Sequence, residues 1–305
     1  MGVTSPAIEL EVDGRSVRLT NLAKILWPDG GFTKGQMVDY YARVAPVLLP
    51  HLARRPLTLA RFPDGVDGPG WYQTSCPHPP PWMPTLAVPS PRAGRSGRDY
   101  CLVNDLASLL WVANLAAIEL HPLLSRAPDL AEPTSVIFDL DPGPPAGLLD
   151  AAAVSLLVRQ AVEALGLGCM AKTSGSAGVH VHVPLNTPAT YEETKPFARA
   201  VATVLARSHP DRVVAQMERA LRPGKVFVDW SQNHANKSTA GVYSLRAQRT
   251  PVVSTPLRWE EVEEAVATGD EDRLVFDAFG ALERVDRHGD LFAPLLTLHQ
   301  TLPSL

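Results

Sequence analysis

The sequence has few cysteines, few lysines and no long apolar run. Its three cysteines, Cys76, Cys101 and Cys169, are odd in number and scattered, which argues against a disulfide framework. Cys76 and His78 have no second ligand pair at zinc spacing, which argues against a zinc site. No stretch approaches the roughly 20 apolar residues that a membrane-spanning helix needs. The opening MGVTSPAIELEVDG lacks the charged-then-apolar layout of a secretion signal. These absences predict a soluble, cytoplasmic, globular protein with no membrane partner. A general basic excess is also lacking, since 28 basic and 32 acidic residues give a net charge of −4. That excludes a wholly basic nucleic-acid coat but not a local basic site.

What is present is a chain of 305 residues, 45% hydrophobic, long enough for one large domain or two small ones. Neither an internal repeat nor a long flexible linker is visible. IELEVDGRSVRLT alternates around Asp13-Gly14 and predicts a β-hairpin. Thr33 with Gln36 forms a capping box that opens a helix with Met37, Tyr40, Tyr41, Val44 and Leu48 on one face, bent or ended by Pro46 and Pro50. Residues 62–100 are rich in Pro and Gly and read as irregular, with Trp71 and Tyr72 partly exposed. A second helix is expected from Asn104 to His121, stopped by Pro122.

The second half alternates strand and helix. SVIFDLD, residues 168–173, VHVHVPL and KVFVDW read as strands, the last after a Pro-Gly turn at 223–224. GVYSLR is expected as the antiparallel neighbour of KVFVDW. Helices are expected over Asp150–Leu165, Glu192–Arg207, around Trp259–Val266 and near Leu291–Leu298. This is an α/β pattern with hairpins, so the sheet should be mixed rather than all parallel. Charge is uneven. Arg219–Arg249 holds six basic residues and one acid, whereas Trp259–Asp290 holds eleven acids and three Arg.

Asp139 and Asp141 end the strand SVIFDLD and share a face, because side chains repeat every second residue. Two carboxylates so close repel unless a divalent cation neutralises them, and hard oxygen ligands suit Mg²⁺ or Mn²⁺. A bare Asp-Pro-Gly turn would account for the same letters. Asp229 ends KVFVDW and offers a third carboxylate, or a capping one. Thr173–Gly178 is a turn of small residues that could present N–H groups to an anion, or be a plain glycine hairpin. His180 and His182 share one strand face and suit a metal or ordinary strand polarity; at most one of them is expected to point into the site, in a hydrogen-bonding role. Arg222, Lys225, Lys237 and Arg246 surround Asp229 in sequence and suit either a phosphate clamp or a solvated basic face.

FDLDPG, TSGSAGVHV and VDWSQN, in this order and spacing, resemble the three motifs of the archaeo-eukaryotic primase superfamily. More closely, they resemble the polymerase domain of bacterial ligase D from non-homologous end joining. The likeness extends to LTNLAKILWPDGGFTKGQMVDYYARVAPVLLPHLARRP and to YSLRA, and covers residues 8 to 295 or so. It implies one primase-polymerase domain over residues 1–305, stand-alone or excised from a longer protein. Residues 1–130 would carry a 5′-phosphate pocket, and residues 131–305 the catalytic core. The implied fold is α/β, with two mixed or antiparallel sheets, one an RRM-like core, and flanking helices.

The resemblance also implies roles. Asp139, Asp141 and Asp229 match the metal carboxylates, which would hold two Mn²⁺ or Mg²⁺ ions. Ser174, His180, His121, Arg222, Lys225, Gln232 and Arg246 match positions that bind or line the nucleoside triphosphate. Trp71 and Tyr72 fall where an aromatic pair stacks on a base. Asn21, Lys24 and Lys34 match a pocket for a 5′-phosphate at a DNA gap or break. The second motif departs at Ala177, where the family commonly has Lys, which removes one cationic phosphate contact. The implied activity is template-dependent primer extension at gaps or breaks, favouring ribonucleotides, near the nucleoid. Its partners would be DNA, a Ku-type protein and a separate ligase. De novo priming, a metal-dependent nuclease and a non-catalytic DNA-end adaptor are the other readings of the same residues.

Overall fold

The computed structural model describes residues 6–89 and 97–303. The first part of the chain runs β1 (Ile8–Val12), β2 (Arg15–Leu19), β3 (Ile25–Trp27), β4 (Phe32–Thr33), α1 (Lys34–Leu52), β5 (Pro56–Arg61), β6 (Trp71–Gln73), β7 (Thr85–Val88), β8 (Arg98–Leu102), α2 (Leu106–Asn114) and β9 (Ala117–Pro122). Then come β10 (Ser135–Pro142), α3 (Leu148–Glu163), β11 (Met170–Thr173), β12 (Val179–Pro184), α4 (Tyr191–Ser208), β13 (Val213–Val214) and β14 (Val226–Asp229). The chain closes with β15 (Pro256–Leu257), α5 (Trp259–Thr268), α6 (Ala278–His288) and α7 (Pro294–Thr297). No helix among the described residues is long and apolar enough to cross a membrane.

Two compact units emerge. One takes the chain up to Leu123 together with Ser238–Val253 and Asp277–Gly289. The other takes Leu124–Lys237, Ser254–Phe276 and the segment from Asp290 onward. In the first unit, Asp13 and Gly14 both adopt positive φ and close the β1–β2 hairpin. Thr33 and Gln36 cap α1 reciprocally, as the sequence predicts. The helix runs through Pro46 and ends just after Pro50. Its inward face is Met37, Tyr40, Tyr41, Val44 and Leu48, all buried. The five-stranded sheet is antiparallel, with β5 pairing β9 as well as β6 and β8.

Four expectations are corrected here. The second helix stops at Asn114, and residues 117–122 form β9 instead. Ala116, at a φ of 55°, breaks the helix, and Ala117 and Glu119-Leu120-His121-Pro122 then pair along β5, with a bulge at Ile118. The stretch 62–100 is not wholly irregular, since it holds β6, β7 and the start of β8; its residues 90–96 lie outside the described residues. GVYSLR is no strand beside β14. Tyr243 takes a positive φ, Gly241 N–H donates to the Leu120 carbonyl, and Ser244 Oγ accepts from Leu120 N–H, so the segment clamps onto β9. Finally, Cys76 and Cys101 form a disulfide, with their Cα atoms 4.9 Å apart. The backbone bond from Cys76 N–H to the Asp99 carbonyl lays the two segments side by side.

The second unit holds a six-stranded sheet in the order β13-β14-β10-β12-β11-β15, antiparallel except for the β13–β14 pair. It is mixed, as expected. Val136, Phe138 and Leu140 of β10, Val179, Val181 and Val183 of β12, and Val226 and Val228 of β14 form one buried core with Val154, Val158, Phe197 and Ala198 of α3 and α4. Alternation therefore turns Asp139, Asp141, His180, His182 and Asp229 to the opposite face. Ile137 on that second face is covered by Leu124 and Tyr191, which is why β10 reads as nearly continuous apolar sequence. The sequence misses α6, and it places the final helix too early and too long.

Candidate active site

Register builds the carboxylate cluster. Asp139 on β10 is the direct partner of Asp229 on β14 and of His180 on β12. Asp141 lies two residues further along the same face, opposite Phe227. One carboxylate oxygen from each of Asp139, Asp141 and Asp229 lies within 4.8 Å of the others. Asp139 and Asp229 are buried, while Asp141 opens to solvent. Loss of water contact and repulsion from Asp139 and Asp229 push Asp141 up to about 7, with Arg222 pulling it down. Because the Asp141 carboxyl is accessible, repulsion is the share that a bound cation would remove.

Each buried acid is held in place. His180 Nε2 lies 3.1 Å from Asp139 Oδ1, so His180 is the histidine that reaches the site. His182 packs edge-on against Phe292. Asp229 Oδ1 accepts from Ser231 N–H at 2.9 Å and from Ser231 Oγ–H at 2.5 Å. Its Oδ2 accepts from Gln232 Nε2–H at 2.9 Å. Lys237 donates to Ser231 Oγ, so its charge reaches Asp229 through one hydroxyl.

Two glycines let backbone crowd the end of β10. A Cβ on Gly178 would lie 2.7 Å from the Leu140 carbonyl oxygen. A Cβ on Gly143 would lie 2.3 Å from the Arg222 carbonyl oxygen, and Gly143 N–H donates to the Lys225 carbonyl. The second contact lays the turn of Arg222 across the strand end. The Arg222 guanidinium sits 3.7 Å above the Phe227 ring and donates to the Met217 carbonyl. Lys225 turns elsewhere, its Nζ donating to the Pro210 carbonyl at 2.6 Å. In the Ser174 turn the N–H groups of Ser176 and Gly178 both donate to Ser174 Oγ. Lys172 is buried, donating to Ser254 Oγ at 2.6 Å.

The first unit groups the remaining residues differently. His121 and Arg246 meet at Glu119, which the sequence reading missed. Glu119 Oε2 is 2.7 Å from His121 Nε2, and Oε1 takes Ala247 N–H at 2.9 Å and lies 3.2 Å from Arg246 Nε. Burial pushes the Glu119 carboxyl up, but the His121 hydrogen bond, the Arg246 charge and the Ala247 N–H together hold it below the usual carboxylate range. Reading Ile118–His121 as a strand would have found it, since Glu119 and His121 are then two apart on one face. Tyr72 meets the His121 ring edge-on at 5.3 Å, and Arg61 stacks over Trp71 at 5.3 Å. Both aromatic residues of this pair are exposed.

Asn21, Lys24 and Lys34 are tied through backbone. Lys24 N–H donates to the Asn21 carbonyl, and Lys34 N–H to the Lys24 carbonyl. Lys24 Nζ pairs with Asp64 at 2.8 Å. Lys34 Nζ donates to the Thr20 carbonyl and to Asn114 Oδ1, each at 2.8 Å. Burial, with the charges of Lys24 and Arg61, lowers Lys34 to about 8.

The family model described as "LigD, primase-polymerase domain" matches residues 33–292. The chain belongs to the LigD primase-polymerase family. A multifunctional non-homologous end joining DNA repair protein LigD of Mycobacterium tuberculosis is 38% identical over 291 residues, covering 92% of this chain and 37% of that protein. The LigD of Mycolicibacterium smegmatis is 38% identical over 283 residues, covering 92% of this chain and 36% of that protein. The LigD of Pseudomonas aeruginosa is 31% identical over 250 residues, covering 81% and 29%. The chain spans between 29% and 43% of the length of the curated relatives it matches. Among solved structures, the polymerase domain from Mycobacterium tuberculosis ligase D in complex with DNA superposes with a TM-score of 0.84 at 36% identity, covering 92% of this chain and 98% of that one. The LigD primase-polymerase fold therefore carries the α/β architecture with antiparallel sheets that the sequence implies.

Proposed function

We propose that this LigD-type domain extends a primer strand at DNA gaps or breaks in non-homologous end joining, by template-directed nucleotidyl transfer. The observation that carries this reading is the convergence of Asp139, Asp141 and Asp229 from two paired strand ends to within 4.8 Å. The donor set fits a divalent cation. It offers only hard oxygen ligands, and Asp139 and Asp229 add repulsion at Asp141 to the loss of water contact that raises it most. Mn²⁺ or Mg²⁺, two ions in the full arrangement, would supply charge neutralisation at the primer 3′-hydroxyl and at the triphosphate.

The chain's own residues do the positioning. His180 fixes Asp139, and Ser231 and Gln232 fix Asp229, so the carboxylates are oriented before substrate arrives. Arg222, whose charge already reaches Asp141, is assigned to the triphosphate, together with Ser174, Gln232 and Arg246. Lys225, the further cation that the resemblance implies, is left out of this set because its Nζ is held at the Pro210 carbonyl. His121 is assigned to the nucleotide as well, its ring held by Glu119. Exposed Trp71 and Tyr72 suit sequence-tolerant base stacking. Asn21, Lys24 and Lys34 are assigned to a 5′-phosphate, for which Lys24 would exchange its pairing with Asp64.

Ribonucleotides are the favoured substrate in this reading, with deoxyribonucleotides accepted. A Ku-type end-binding protein and a DNA ligase activity are the partners such a reaction needs, in the cytoplasm at the nucleoid. Primer extension on a short gapped duplex with a 5′-phosphate tests it, with Mn²⁺ or Mg²⁺ and either sugar. Templated addition by the wild type and none by Asp139→Ala is the expected result. Dinucleotide synthesis without a primer would favour a priming enzyme instead. Tight binding to the gap without addition would favour an end adaptor.

A further inference from the structure

Away from the carboxylates, the second unit carries a half-open cavity of about 720 Å³. That lies within the ~300–1,000 Å³ range of ligand sites. Its walls come from α4, β13, the loop after β13, Lys225 and Trp230. Trp230 packs against the same core as α3 and α4, whereas Asp139, Asp141 and Asp229 face away from that core. None of the three acids lines the cavity.

Its chemistry is two-sided. Arg199, Arg207 and Lys225 line it against a single acid, Glu218. Arg199 and Lys195 lie over the Trp230 ring, at 5.1 and 5.8 Å from its centroid, which holds two positive charges side by side. The indole itself is fixed by its Nε1–H donating to the Ala215 carbonyl. Ala206, Val213 and Val214 add apolar side chains to the lining. Met217 and Leu221 line the same cavity and are large, exposed hydrophobic side chains.

We propose that this cavity is a docking site for a short acidic segment of a partner protein, anchored by an aliphatic or aromatic side chain. Arginine clusters recognise acidic motifs, and an anchor in an apolar pocket supplies the rest of the affinity. A nucleic-acid strand would meet the cations too. It would leave Met217 and Leu221 uncovered, and the Trp230 ring is already engaged by Arg199 and Lys195, so it is no platform for a base.

Fluorescence anisotropy with the whole chain tests this. One probe is a short labelled peptide of alternating Glu and Leu with a central Phe, and a second is a labelled single-stranded oligothymidylate. The expected result is saturable peptide binding, weakened about tenfold or more by Arg199→Gln and by Arg207→Glu. It should also weaken when the Leu and Phe positions of the peptide become Ser. Primer extension by both variants should stay at the wild-type level, since neither residue belongs to the catalytic or substrate-binding set. Arg207 lies in the last turn of α4, where Glu opposes the helix dipole, so Arg199→Gln is the milder check on folding. Three outcomes would overturn the assignment. They are absence of peptide binding, binding indifferent to both variants, and displacement of the peptide by oligothymidylate with the same dependence on Arg199 and Arg207, which would make this a strand-binding groove.

Discussion

His180 Nε2 lies 3.1 Å from Asp139 Oδ1, across one step of the β10–β12 ladder. The histidine thus sets the direction of a carboxylate that has its other neighbour, Asp229, on the opposite strand. Groups that orient a metal ligand are typically worth ~10–100-fold in metal affinity or activity. His180→Ala should therefore raise the Mn²⁺ concentration needed for half-maximal primer extension by about tenfold or more. Asp139→Ala should abolish extension at any metal concentration. Metal titrations of the two variants separate a positioning role from a ligand role.

The raised Asp141 carries a pH signature. Its folded value, about 7, is above the ordinary carboxylate range, so the proton is held more tightly when folded. That contribution to stability is complete below the unfolded value and is lost as pH rises through 7. Divalent cation binding must displace the same proton. Mn²⁺ affinity, measured by titration calorimetry, should tighten about tenfold between pH 6 and pH 8, with proton release visible as buffer-dependent heats. Asp141→Asn should remove the pH dependence along with most of the affinity.

Lys34 predicts the opposite trend for DNA. Burial lowers it to about 8, so its charge is lost as pH rises through that value, while an unfolded lysine stays charged for longer. The unfolded chain then binds more protons between the two values, and stability rises with pH across that window. The preference for a 5′-phosphorylated gap over an unphosphorylated one should fade between pH 7 and pH 9. Lys34→Arg should flatten the profile, because a guanidinium stays charged throughout. Anisotropy with paired substrates at each pH measures it.

Glu119 joins the His121 ring, the Arg246 guanidinium and a backbone N–H in a buried place. Removing one member of a buried charge network typically costs ~3–5 kcal/mol. Glu119→Ala should show a loss of that order in urea unfolding, and a raised KM for nucleotide through the released His121 and Arg246. Glu119→Gln keeps the shape and should recover part of the stability.

Much of the second unit was legible in the sequence, because its periodicity is clean. Val179, Val181 and Val183 alternate with His180 and His182, and the two acids of FDLD repeat at the same period. What period cannot give is register, so the direct pairing of Asp139 with Asp229 and His180 was beyond reach. The first unit was harder. Leu106 to Leu120 is apolar at both helical and strand spacing, and the left-handed Ala116 that divides helix from strand leaves no mark in composition. His121 was found by resemblance and placed on the wrong element, and Glu119 was lost with it. The Cys76–Cys101 bond depends on the pairing of segments 25 residues apart, which scattered cysteines do not announce.

The alternation of β10 also protects the fold from its own errors. A slip of one residue against β12 or β14 would turn Asp139 and Asp141 into the space now filled by Val154, Val158 and Phe197, and would turn Phe138 and Leu140 to the face that now carries the carboxylates. Several kcal/mol for each buried charge would then oppose the misaligned sheet. The acids that make the site chemically useful thus serve as proofreaders of assembly, and neutralising both would remove a safeguard against misfolding along with the activity.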